Sequence, residues 1–229
     1  MLAAGLGSRF NEITLRTHKA LLPINGTPNI EITIKYLIES GIEEIYIVTG
    51  HLSSQFNYLK EKYNCNLIYN KFYKTYNNMY SFYLAKEYFG NSFVIDSDVV
   101  LFKNIFLNKP YSSFYYLITR PDSNKLEWIP TIENNKISKI LVSNDKKPSL
   151  LGISYWTKID AKKIKESLDR TISHNLLLDD SLYWDNIPIG LLDILNVEYK
   201  NLSIDDAYEI DNVEEYKFAL KIGTKGIII

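Results

Sequence analysis

The chain has 229 residues, 46% of them hydrophobic, with 26 basic against 27 acidic side chains and one cysteine. That length buries a substantial core and fits a single α/β domain over residues 1–229. A net charge of −1 argues against a surface that tracks nucleic acid, and the lone Cys65 excludes a disulfide framework.

No apolar run reaches the roughly 20 residues that span a bilayer. Nor does a basic segment lead into an apolar one, as in a secretory signal. A soluble protein of the reduced cytoplasm is expected, without nucleic-acid or membrane partners.

The opening stretch, MLAAGLGSRFNEITLRTHKALLPI, organises the rest. Leu2, Ala3 and Ala4 read as a buried strand that breaks into Gly5-Leu6-Gly7-Ser8-Arg9. A strand beginning at Met1 falls short of the usual five or six residues or so. The expectation is that a few residues of it are missing, or that the start is mis-assigned. Glycines let successive amides face one concavity suited to phosphate oxygens. Arg9 can fork two oxygens, and Lys19 adds a mobile point charge. Alone, the pattern equally describes a turn beside two solvated cations, so the rest of the chain must decide.

Residues 23–28 read as a turn rich in Pro and Gly. Ile30, Ile34, Leu37 and Ile38 then share a helical face that ends at Gly41. A buried strand follows over 44–50. Ser53 is placed to cap a helix carrying Phe56, Leu59 and Tyr63, and 66–70 is a short strand. This alternation predicts parallel βαβ units. The segment Tyr76–Ser81 opens another helix, with Asn78 either as its N-cap or as an amide that recognises a ligand.

Residues 92–98 read as an apolar strand ending in Asp96 and Asp98. Ligands of open α/β sheets bind beyond such strand ends. In a continuing strand both carboxylates point the same way, which suits Mg²⁺, with a solvated turn as the plainer alternative. Segments 113–119, 127–132, 137–142 and 150–157 look like strands without long helices between them, an antiparallel extension of the sheet. A helix with Ala161, Ile164, Leu168 and Ile172 on one face follows, with Asp160 near its start. After the segment Leu182–Asn186 comes a short strand carrying Glu209 and Asp211 on one side. A closing helix aligns Val213, Tyr216 and Leu220.

Several chemistries are excluded. Phe10 stands where a dinucleotide fingerprint needs a small residue, and no phosphate loop of the G-x-x-x-x-G-K-[ST] kind is present. His18, His51 and His174 lack zinc spacing, and Ser154 lacks a nucleophile elbow. An anion cradle, two cations and two acid pairs remain. They suit metal-assisted phosphoryl or nucleotidyl transfer.

LAAGLGSR, followed by Lys19-Ala-Leu-Leu-Pro, resembles the signature of the nucleotidyltransferases that activate sugar and alcohol phosphates. The likeness runs on through Val94–Asp98 and Glu209–Asp211. Within that group Tyr76–Ser81, Glu127-Trp128 and Leu182–Asn186 resemble segments of the bacterial CTP:phosphocholine cytidylyltransferases, which supply CDP-choline for surface polysaccharides. The resemblance implies a GT-A-like, Rossmann-like mixed sheet, mostly parallel and flanked by helices. It implies CTP and a phosphorylated amino-alcohol as substrates and Mg²⁺ as cofactor. Asp98 and Asp211, assisted by Glu209 or Asp96, would hold the metal. Arg9 and Lys19 would neutralise the triphosphate as pyrophosphate leaves. Ala3, Ala4, Gly5, Gly7, Asn78 and Ser81 would contact the nucleotide.

A quaternary ammonium takes aromatic faces and carboxylates as partners, so Tyr80, Trp128, Tyr183, Trp184 and Asp185 are the expected choline residues. The same transfer to 2-aminoethylphosphonate, phosphoethanolamine or a sugar 1-phosphate is the nearer alternative. A non-catalytic nucleotide-binding domain is the more distant one.

Overall fold

Alternation of short apolar strands with amphipathic helices decides the layout of the computed structural model, which describes residues 1–10, 12–121, 125–172 and 174–225. The side chains of residues 174, 175 and 225, the His174 ring among them, lie outside that description. The chain divides into two units, one of residues 1–75, 96–109 and 205–229, the other of residues 76–95 and 110–204.

In the first unit, strands Leu2–Ala3, Tyr46–Thr49 and Asn66–Tyr69 lie side by side in chain order, all parallel. Ala3, Ile47 and Val48 are buried, as strands covered on both faces require. Helix Asn29–Glu39 turns Ile30, Ile34 and Leu37 inward. The expected fourth member of that stripe, Ile38, is 45% exposed, because the buried arc runs instead through Asn29 and Thr33. Gly41, at φ 77°, takes the left-handed conformation that ends the helix. Glu31 on its buried side accepts from Tyr58 Oη at 2.8 Å, Lys62 Nζ at 2.7 Å and Tyr63 Oη at 2.5 Å.

Ser53 does not cap a helix as its sequence position suggests. Leu52, at φ 49°, precedes a 3₁₀ turn over Ser53–Phe56, and the α-helix runs Tyr58–Tyr63. Strand Val99–Leu101 pairs antiparallel with Ala207–Glu209. The helix that follows, Val213–Lys225, buries Ala219 and Ile222, while Val213, Tyr216 and Leu220 flank that stripe half-buried.

The second unit holds a four-stranded sheet in the order Val197–Leu202, Ser113–Ile118, Ser149–Trp156, Ser92–Ile95. Its pairings are antiparallel except that of Val197–Leu202 with Ser113–Ile118. Strands Glu127–Glu133 and Lys136–Ser143 form a separate hairpin. Its turn uses Asn134 and Asn135, both at positive φ, which matches the right-handed strand twist. Thr157 caps helix Lys158–Thr171 through the Asp160 amide, and Ala161, Ile164 and Leu168 point into the core. The cap of helix Asn78–Ala85 is Asn77, whose Oδ1 accepts from the Asn78 amide at 2.7 Å. Asn78 is therefore the first helical residue and not the cap. Among the described residues no helix is long and apolar enough to cross a membrane.

Candidate active site

The chemistry of the first unit gathers where the antiparallel pairing of Val99–Leu101 with Ala207–Glu209 ends. That register sets Glu209 opposite Val99, and the Ile210 amide donates to the Asp98 carbonyl at 3.0 Å. Asp98, Glu209 and Asp211 thereby meet, with one carboxylate oxygen from each within 4.8 Å of the others. Asp98 Oδ1 is buried and, among the described residues, has no hydrogen-bond partner. An orphaned carboxylate oxygen in an all-oxygen donor set fits a hard divalent cation.

Lys19 Nζ lies 2.5 Å from Asp98 Oδ2, and Arg9 Nη1 lies 2.8 Å from Asp211 Oδ2. Burial opposes the Lys19 charge, but the carboxylate and hydrogen bond of Asp98, with Asp211 and Glu209 behind, outweigh it and raise its pKa. Lys19 is thus held as an ammonium. Asn29, 1% exposed, donates from Nδ2 to the Ser97 carbonyl at 3.3 Å and the Val99 carbonyl at 2.9 Å, bracketing Asp98.

Asp96 does not join this cluster. The strand breaks after Ile95, where Ser97 and Asp98 form a turn. The Ser97 amide donates to Leu2 and the Val99 amide to Asp96. Side chains of a turn do not keep the two-residue alternation of a strand, so the expected pairing of Asp96 with Asp98 fails.

The glycine stretch is tied through its carbonyls. The Ala4 carbonyl accepts from the His51 amide at 3.1 Å, and the Gly5 carbonyl lies 3.2 Å from His18 Nε2. The Gly7 carbonyl accepts from Thr14 Oγ1 and from the Phe10 amide, both at 2.9 Å. In a trans peptide the N–H points opposite to the C=O. The amides of Gly5, Leu6 and Ser8 are therefore turned away from these tethers. A Cβ on Gly5 would meet nothing within 4 Å, and Gly7 sits at φ 63°. Gly50 is constrained by space: a Cβ there would lie 2.5 Å from Tyr73 Cβ and 2.7 Å from the Ala4 oxygen.

The second unit carries the expected choline residues. Trp128 and Tyr183 meet edge to face at 6.1 Å, and Tyr183 is 42% exposed. Tyr80 stacks on Tyr83 at 6.1 Å and meets the edge of Tyr76. Trp184 departs from expectation. It is 2% exposed, packed on Phe82 at 4.7 Å and edge-on to Trp156 at 6.2 Å. With its faces taken up by the core, the indole offers none to a cation.

Asn78 Oδ1 accepts from the Trp184 amide at 2.9 Å, so it braces this segment, and Ser81 is buried. Asp185 Oδ1 accepts from Tyr115 Oη at 2.9 Å, and among the described residues no cationic side chain pairs with it. Burial raises its pKa to about 7, against the opposing hydrogen bonds from Tyr115 and the backbone.

Sequence reasoning missed Tyr115, Asn29, Gly50 and the role of His18. Only the last had a visible signal, its place beside Lys19.

Residues 1–117 match the MobA-like NTP transferase domain. The choline-phosphate cytidylyltransferase of Haemophilus influenzae is 46% identical, the alignment covering 96% of this chain and 95% of the relative. The 2-aminoethylphosphonate cytidylyltransferase of Lancefieldella rimae is 30% identical over 94% of this chain and 88% of its own. Among solved structures, the CTP:phosphocholine cytidylyltransferase LicC of Streptococcus pneumoniae superposes with a TM-score of 0.91 at 40% identity, covering 96% of each chain.

Proposed function

The chain belongs to the MobA-like NTP transferase family and, within it, to the bacterial choline-phosphate cytidylyltransferases, and on that premise we propose that it transfers CMP from CTP to phosphocholine. A phosphate oxygen of phosphocholine attacks the α-phosphorus of CTP. The new P–O bond forms as the bond to pyrophosphate breaks, and no protein nucleophile is required.

The observation that carries this reading is the double pairing Lys19–Asp98 and Arg9–Asp211. It sets Arg9, at the end of the glycine stretch, and Lys19 against the acid cluster. Asp98, Glu209 and Asp211 would hold Mg²⁺, which when bound supplies positive charge beside the triphosphate. The amides from Ala4 to Ser8 donate to phosphate oxygens. Arg9 and Lys19 neutralise charge that grows on the leaving pyrophosphate. In the second unit, Asp185 faces the quaternary ammonium with Trp128, Tyr183 and Tyr80 as its aromatic neighbours. A reaction that consumes CTP belongs in the cytoplasm.

The test is pyrophosphate release from CTP and Mg²⁺ with phosphocholine, phosphoethanolamine and 2-aminoethylphosphonate as rival acceptors. Phosphocholine is expected to give the highest kcat/KM, by about tenfold or more. A higher value with a primary amine would move the assignment to that acceptor. No release with any acceptor would favour a nucleotide-binding module.

A further inference from the structure

His18 belongs to neither acid cluster nor aromatic group, yet it is 1% exposed and tied at every polar atom of its ring. Its Nδ1 lies 3.1 Å from the Ala20 amide, which can only donate, so Nδ1 carries no proton. Its Nε2 lies 3.2 Å from the Gly5 carbonyl, which can only accept, so Nε2 carries the proton. The edge of Phe56 packs on the ring at 4.9 Å. The His18 amide donates to Gln55 Oε1 at 3.0 Å, and Gln55 Nε2 donates to the Arg16 carbonyl at 2.7 Å. One ring therefore joins two parts of the proposed nucleotide site. Through Nδ1 it caps the 3₁₀ turn Lys19–Leu21, which starts with the lysine, and through Nε2 it holds the glycine stretch.

We propose that His18 is a positioning residue for the nucleotide: as its Nε2–H tautomer it fixes the Gly5 carbonyl and thereby aims the adjoining amides at the triphosphate. The proposal rests on the reading of the glycine stretch as the triphosphate cradle. Turning the Gly5 carbonyl by its peptide plane turns the Leu6 amide with it, so loss of this tether misaims a donor directly. Burial, with the neighbouring Lys19 charge, lowers the His18 pKa to about 4 against the pull of the Gly5 carbonyl, and His51 and Asp98 act in opposite senses on it. The ring stays neutral, keeping both its acceptor and its donor.

Two substitutions separate the two ends of the ring. His18→Asn leaves an oxygen where Nδ1 stood, able to accept from Ala20, but is too short to reach Gly5. His18→Gln carries an amide out to the position of Nε2 but gives up the acceptor at Nδ1. With His18→Asn, the KM for CTP is expected to rise about tenfold while that for phosphocholine stays within about twofold. His18→Gln is expected to recover most of that loss. Equal losses in both variants, or an unchanged KM for CTP in His18→Asn, would overturn the proposal.

Two further measurements stand beside these. Calorimetric titration with CTP and Mg²⁺ should give binding. No binding would remove the cradle reading itself, whereas equal binding by wild type and His18→Asn would remove only the role of His18. Nitrogen-15 spectra of the histidine rings should show one ring as the neutral Nε2–H tautomer from about pH 8 to about pH 5. Only Nδ1–H or imidazolium rings in that range would overturn it.

Discussion

The two units treat charge in opposite ways. In the first, two cations of the opening stretch already meet carboxylates, Lys19 on Asp98 and Arg9 on Asp211. In the second, Asp185 meets the neutral phenol of Tyr115 and, among the described residues, no cationic side chain. A pre-paired array keeps its groups in place and exchanges partners when a charged ligand enters. An unmatched carboxylate, its pKa raised by burial, gives up its proton more readily once a ligand brings the missing charge. The first arrangement suits a triphosphate with a metal, where both signs arrive together. The second suits a ligand whose only positive charge cannot donate a hydrogen bond.

The sharpest break of this comparison is in the first unit. Lys19→Ala or Asp98→Ala is expected to lower kcat by about a thousandfold or more, with the KM for phosphocholine little changed. Chelation of divalent cations should match the effect of Asp98→Ala. Stopped-assay pyrophosphate release at saturating substrates measures all three. Near-normal turnover in Lys19→Ala would show that the paired array is structural.

Next in size is Gly50→Ala, which alters no polar group. Its methyl would collide with Tyr73 and with the Ala4 carbonyl, so the strand end or the glycine stretch must move. An ångström of misplacement costs on the order of a hundredfold in rate. A loss of that size in kcat/KM is expected, with an unchanged affinity for phosphocholine. If Gly50→Ala affects both substrates alike, the effect of the displaced glycine stretch is not confined to the nucleotide.

Much of this was legible in the sequence, and the reasons differ by element. The glycine stretch, Arg9, Lys19 and the late acids Glu209 and Asp211 stand in short apolar contexts whose strand and turn chemistry is local. The antiparallel second half was readable because four strand-like segments follow one another without helices. The fate of Asp96 was not. Whether a strand continues through Asp96-Ser97-Asp98 depends on the Leu2 carbonyl taking the Ser97 amide, a contact across 95 residues. Asn78 was displaced as cap by its identical neighbour Asn77, a choice that sequence patterning leaves open. Trp184 was misread because burial of an indole depends on Phe82 and Trp156, distant in sequence.

Asp185→Asn addresses the second unit through pH. Its folded pKa, about 7, lies above the roughly 3.9 of an unfolded aspartate. Between those values the folded chain binds more protons than the unfolded one. Ligand-free stability contributed by this group is therefore full at low pH and is lost as pH rises through about 7. Affinity for a quaternary ammonium runs the other way, since only the carboxylate attracts it. The KM for phosphocholine is expected to fall as pH rises through 7, while thermal midpoints without ligand decline. In Asp185→Asn both slopes should flatten, and the KM should sit about tenfold higher at pH 8. A pH-independent KM in the wild type would remove Asp185 from the site.

The smallest effect on substrate is expected at Trp184, and it separates a packing aromatic from a binding one. Trp184→Phe keeps an aromatic between Phe82 and Trp156 but leaves part of the indole volume empty. A stability loss on the order of 1–3 kcal/mol follows, read by denaturant titration, with the KM for phosphocholine within about twofold. Trp128→Ala, at the half-buried edge beside Tyr183, should reverse the pattern: stability little altered and KM raised by several-fold, about the worth of one cation–π contact. Both rings are tryptophans in aromatic segments, so composition does not tell them apart. What separates them is which face the surrounding side chains have left open. If Trp184→Phe raises KM as much as Trp128→Ala does, the indole must leave its core position when phosphocholine binds, and the second unit would be rebuilt by its ligand instead of waiting for it.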